Sequence, residues 1–158
     1  MRTRILTAGI VSLVLAASAH AADKSPIGVK VDNFTLQDYR GKEHSLKDYQ
    51  ESKLVVVAFL GVDCPLAKLY GPRLAKLAKD YEGKGVAFLG IDSNVQDQIT
   101  AIAAYARVHE IAFPILKDLG NKTADQFRAV RTPSVFVLDK DRVIRYAGRI
   151  DDQYGIGF

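Results

Sequence analysis

Cysteine occurs once in this chain of 158 residues, at position 64, and tryptophan does not occur at all. A single thiol cannot close an internal disulfide, so stability from internal staples and a two-cysteine redox cycle are both excluded within the chain. No apolar run is long enough for a comfortable membrane span; the longest, residues 5–19, falls short of the roughly 20 residues required. No segment is repetitive or low in complexity. Charge of one sign is also scarce in excess, with 22 basic residues against 18 acidic ones. The basic residues interleave with acids, as in KDYEGKG, which reads as a solvated face and argues against nucleic acid as a partner.

What is present suits one domain with a sizeable core: 48% of residues are hydrophobic and 25% charged. Residues 1–21 stand apart. MRTR is a basic start, an apolar run follows, and Ala19-His20-Ala21 has the small-x-small form of a cleavage site. This predicts a secretory signal peptide at 1–21 and a folded domain at 22–158, exported to the periplasm or beyond the cell and off the membrane once cleaved. An uncleaved anchor is the other reading. Without Arg2 and Arg4, twenty basic residues face eighteen acids, leaving the mature chain at +2. For an exported protein, an odd cysteine means an intermolecular partner or a free reactive thiol. A buried cysteine acting as a small apolar residue is the plainer alternative.

Hydrophobic periodicity divides the rest. Phe34, Leu36 and Leu46 fit an early hairpin facing a core. LVVVAFLG (54–61) is a continuous apolar run, the pattern of a strand buried on both faces. From Pro65 to Tyr81 the period becomes helical, with Leu66, Leu69, Leu74, Leu77, Ala78 and Tyr81 as the apolar stripe and a kink or break expected at Pro72. GVAFLGID (85–92) is a second buried strand. A helix follows with Ile99, Ile102, Ala103 and Ala106 inward, then a short extended piece FPILKD. A short helix is capped near Asn121. SVFVLD and RVIRYAG form a closing hairpin about Lys140-Asp141. The order implies an α/β domain with a mixed central sheet flanked by helices. After Gly148 only RIDDQYGIGF remains, so the final covering helix is expected to be missing and the chain to be truncated or to continue into more protein.

A strand running into Cys64-Pro65 at a helix start, with a later Thr132-Pro133 opening a strand, resembles the thioredoxin superfamily. DNFTLQDYRGKEHSLKDYQESKLVVVAFLG resembles the opening of its alkyl hydroperoxide reductase and thiol-specific antioxidant (redoxin) branch, where an Asp-x-Phe-x-Leu hairpin precedes the first central strand. The likeness covers roughly residues 27 to 150. It implies that Cys64 is the nucleophile, that Pro133 is the cis-proline facing it, and that Thr132 offers its backbone to an extended substrate segment. Amide groups at a helix start favour negative charge by roughly 0.3–1 kcal/mol, which suits a thiolate. Lys68 adds to this and Asp63 opposes it, so modest activation is expected.

The departures carry equal weight. Dithiol members have a second cysteine where this chain has Ala67. Peroxidatic members have threonine and proline three and seven residues before the cysteine, where Gly61 and Val57 stand. They also carry an arginine where Pro133 stands; Arg131 or Arg73 would have to substitute. Copper delivery needs two cysteines and a histidine, a set that Cys64, His44 and His109 do not match, and both histidines read as structural or solvated. Asp151 and Asp152 point to opposite sides of an extended chain, so no metal and no cofactor is expected. The resulting expectation is an exported thiol-dependent oxidoreductase, one-cysteine peroxidase-like or exchanging disulfides. It would use Cys64 alone and an external thiol or partner protein for resolution. The alternative is a non-catalytic binding module of a larger exported protein, with Cys64 incidental or a tether.

Overall fold

The computed structural model describes residues 25–151; the expected signal segment 1–21 and the tail from Asp152 lie outside the described residues. The strands are β1 (Thr35–Asp38), β2 (Glu43–Ser45), β3 (Leu54–Leu60), β4 (Val86–Asp92), β5 (Ile115–Lys117), β6 (Ser134–Leu138) and β7 (Ile144–Gly148). The helices are α1 (Pro65–Asp80), α2 (Ile99–Val108) and the short α3 (Lys122–Phe127), with one 3₁₀ turn at Leu46–Tyr49. They build a seven-stranded sheet in the order β2-β1-β5-β4-β3-β6-β7. The β3–β4 and β4–β5 pairs are parallel, as the two helical crossovers require; β1, β2, β6 and β7 add antiparallel edges. The mixed α/β sheet is the one read from the sequence.

β3 sits in the middle because it is apolar on both faces. Val55, Val57 and Phe59 face one core with Leu89, Ile91, Leu116 and Phe136. Phe127 of α3 closes that side, its ring edge-on to Phe59 at 5.4 Å and to Phe136 at 5.1 Å between centroids. Ala58 and Leu60 face the other core, beneath α1 and α2, with Leu74, Ile102, Tyr105 and Ile115.

Several local expectations are corrected. α1 runs through Pro72 without the break that proline can cause, and Pro72 lies on its exposed side. Its buried stripe is Ala67, Tyr70, Gly71 and Leu74, while Leu69, Leu77 and Tyr81 are exposed. The stripe is shifted because α2 crosses α1 tightly at Gly71, where a Cβ would stand 2.8 Å from the His109 ring. In α2, Ile99 is exposed and Tyr105 is buried in its stead. Asn121 precedes α3 but makes no capping bond; the Asp118 carboxylate accepts from the Thr123 and Ala124 amides and performs that role.

β7 is the last element among the described residues. On the α1 side an apolar groove is left open between Leu54, Val56, Leu77, Tyr81, Tyr146 and Ile150. This explains why Leu54 and Leu77, apolar by pattern, are exposed.

Candidate active site

The parallel strands β3 and β4 end side by side, and their carboxyl ends carry the loops that hold the chemistry, where ligands of open α/β sheets commonly bind. β3 runs through Gly61, Val62 and Asp63 into Cys64, the N-cap of α1, with Pro65 in the first helical position. Cys64 has an extended backbone and makes no side-chain cap. Its thiol is half-buried. It donates instead to the Thr132 carbonyl at 3.3 Å. The Thr132–Pro133 peptide is cis, and β6, antiparallel to β3, delivers this loop opposite the sulfur. The three site residues taken from the sequence are thus in one place.

The remaining candidates are not part of that constellation. Lys68 pairs with Asp63 at 3.7 Å, both side chains largely exposed, so the two charges answer each other. Arg73 is paired with Asp151, which also accepts from the Tyr70 hydroxyl at 2.6 Å. Arg131 is exposed, and its carbonyl accepts from Ser134. His44 lies between Asp38 (3.2 Å) and the Tyr49 hydroxyl (3.0 Å) in the β1–β2 hairpin. There burial pushes the Asp38 carboxyl up, but the Lys42 and Arg40 amides and His44 outweigh it and hold it below the usual carboxylate range. Burial, followed by the Asp48 and Asp38 charges, pushes Tyr49 up to about 12. His109 meets Tyr105 edge to face, with 4.5 Å between ring centroids.

Three residues that sequence reasoning passed over lie close to the thiol loop. A Cβ on Gly61 would stand 2.3 Å from Asn94 Nδ2 and 3.2 Å from Thr132 Oγ1, so the Asn94 amide occupies the space of a side chain at position 61. Asp97 accepts from the Val62 amide at 2.9 Å and from Asn94 Nδ2 at 3.0 Å. Tyr105 donates from its hydroxyl to the Ala67 carbonyl at 2.6 Å, and burial, then the nearby Cys64, pushes its pKa up and keeps the phenol neutral. The available signal for Asp97 was indirect: charged residues, Asp92 and Lys117, close two otherwise buried strands and need partners.

Gly61→Thr should accordingly expel the Asn94 amide and destabilise the protein by about 1–3 kcal/mol, the usual range for overpacking. Adding Asn94→Ala should recover much of that loss. Urea unfolding of the single and double variants checks it; equal stability of Gly61→Thr and wild type would show that Asn94 yields without cost.

The chain matches the AhpC/TSA family over residues 27–147. It belongs to that family. The thiol-disulfide oxidoreductase ResA of Bacillus thuringiensis subsp. konkukian is 29% identical over 119 residues, covering 75% of this chain and 67% of that protein. Among solved structures, an uncharacterized conserved protein from Geobacillus kaustophilus matches with a TM-score of 0.80 and 29% identity, over 86% of this chain and 76% of that one. A hypothetical protein from Sinorhizobium meliloti 1021 matches with a TM-score of 0.77 and 32% identity, over 80% and 72%. The redoxin is therefore built on the thioredoxin-like fold, and it carries one cysteine. No helix among the described residues is long and apolar enough to cross a membrane.

Proposed function

We propose that this redoxin is an exported thiol-dependent oxidoreductase in which Cys64 is the sole nucleophile and an external thiol completes the cycle. The observation that carries this reading is the placement of a half-buried thiol at the start of α1, 3.3 Å from the carbonyl of the cis-proline loop. Thr132 and Pro133 then form the wall against which an extended disulfide-bearing segment lies. The Cys64 thiolate attacks one sulfur of that disulfide; the new Cys64–S–S–R bond forms as the other sulfur leaves as a thiolate. A thiol from a small molecule or a partner protein attacks the mixed disulfide, takes R as the new disulfide, and returns Cys64 as a thiolate. Electrons pass from the external thiol to the first disulfide.

Disulfide exchange is favoured over peroxide reduction because Asn94 fills the place beside Gly61 where a peroxide-cradling threonine would stand. The name of the ResA relative points the same way. Export rests on the basic, apolar and small-residue pattern of residues 1–21.

The test is to mix reduced protein with a small disulfide and follow adduct mass and thiol release. A single adduct on Cys64, discharged by added thiol, is expected. A thiol that stays unmodified at millimolar disulfide in the folded protein overturns the reading and leaves a binding module. Recovery from the periplasm of a chain beginning after Ala21 checks export.

A further inference from the structure

Behind the thiol loop, outside the constellation of Cys64, Thr132 and Pro133, lies a buried charge cluster. Lys117, at the end of β5, donates to Asp92 Oδ1 at 2.9 Å, to the Asp97 carbonyl at 2.9 Å and to the Asn94 carbonyl, which uses all three ammonium protons. Asp92 Oδ1 also takes the Asn94 amide at 3.1 Å. Asp97 Oδ2 takes the Val62 amide and the Asn94 side chain. The other two oxygens, Asp92 Oδ2 and Asp97 Oδ1, are buried and receive no hydrogen bond. Leaving both bare is costly in a buried site. Both carboxyls are tied to Asn94, Asp92 through its amide and Asp97 through its side chain, and one proton held between them leaves the Asp92–Asp97–Lys117 cluster electrically neutral.

We infer that Asp97 is a positioning residue for the Cys64 loop, holding it by the Val62 amide, and that a proton shared between Asp92 and Asp97 controls that hold. This rests on the reading of Cys64 as the reactive group. Loss of the proton sets two carboxylates against each other beside one ammonium. The carboxylate that anchors Val62 is then repelled, and negative charge rises behind the loop that carries Cys64. Cys64 reactivity thus has a step with pH in addition to the ionisation of the thiol itself.

The balance of charges supports a step near neutrality. Burial pushes Asp92 up to about 7 against the lowering effect of Lys117. Burial pushes Asp97 up as well, but Asn94, Asp92 and the Val62 amide outweigh it and hold it low. The other charged groups facing the pair are accounted for. Asp118, next to Lys117, is engaged by Ser93 and the α3 amides. Tyr105 of α2 stays neutral. Asp63 and Lys68 at the head of α1 are exposed and paired. On β1, Asp38 is in register with Leu116 rather than Lys117 and is bound to His44.

The experiment has two arms on the intact domain. Carbon-13 NMR titration of the Asp92 and Asp97 carboxyls needs no variant and should show one step near pH 7 belonging to the pair. Alkylation of Cys64 is then followed against pH in wild type, Asp92→Asn and Asp97→Ala, with unfolding midpoints as the control for folding. Wild type should show a flattened rise across the carboxyl step. Asp92→Asn, which keeps a neutral group there, should follow a single ionisation curve. Asp97→Ala should change the rate about 2- to 10-fold at fixed pH, the worth of one buried hydrogen bond. Both carboxyls titrating below about pH 5, or identical alkylation profiles in wild type and Asp92→Asn, overturn the inference. If the carboxyl and alkylation steps coincide while disulfide turnover is absent, the inference stands and the catalytic reading of Cys64 fails.

Discussion

Cys64→Ser should bring disulfide turnover down to the blank, and Ala67→Cys should free the protein from its dependence on an external resolving thiol. The serine hydroxyl can still donate to the Thr132 carbonyl that the thiol now faces, so the fold should survive and only the chemistry be lost. Ala67 lies three residues on, one turn into α1, fully buried, with its carbonyl fixed by Tyr105. A thiol introduced there can attack the Cys64 mixed disulfide, closing an internal disulfide with Cys64 and expelling the substrate thiol. Intramolecular attack by a well-placed group corresponds to a very high effective concentration. The mixed disulfide should therefore decay at least about 100-fold faster than in wild type under the same millimolar external thiol. Quenched-flow mass spectrometry reads both species. A folded Ala67→Cys protein that accumulates the mixed disulfide as wild type does would show that the first turn of α1 cannot bring a second sulfur to the first.

Lys117→Met should be the most damaging single change to stability. Removing one partner of a buried ion pair costs about 3–5 kcal/mol, because the remaining charge has no replacement for it. Here the carbonyls of Asn94 and Asp97 lose their donor too. The loss should depend on pH. Asp92 is raised in the folded state to about 7, from an ordinary 3.8. Its protonated form is thus favoured by folding: that contribution is complete below about pH 4 and is lost as pH rises through about 7. Without Lys117 the carboxyl rises further, and the decline extends to higher pH. Urea unfolding at pH 5 and pH 8 should therefore show a larger deficit for Lys117→Met at pH 8. An equal deficit at both would mean that Asp92 does not hold a proton in the folded protein. Asp38, Asp97 and Asp139, all held low, work with the opposite sign, and their contribution is lost only as pH falls below the ordinary carboxylate range.

The parts of the molecule legible from sequence are those in which one physical cause dominates. The run from Leu54 to Leu60 is apolar on both faces, so it is central, and the change of period at Pro65 places Cys64 at a strand–helix junction. Pro133 follows from its Thr-Pro context and the family likeness. What stayed hidden depends on contacts between distant segments. Nothing in the spacing of Val62 and Asp97, 35 positions apart, announces their hydrogen bond. The true stripe of α1 was obscured because Leu69, Leu77 and Tyr81 match the helical period as well as the buried residues do, and only the crossing at Gly71 decides between them. Asp118 displaced Asn121 as the cap because its carboxylate reaches two amides while Asn121 adopts a left-handed backbone.

The thiol and the carbonyl that receives it are 68 positions apart. They meet only through the antiparallel pairing of β3 with β6, a contact of the long-range kind that slows folding. Every earlier element, including the whole of α1, can form while Cys64 still has nothing in front of it. Protection of the one thiol is therefore gained when the centre of the sheet is completed. Pulse labelling of that sulfur during refolding would time the closing of the sheet, without any introduced probe.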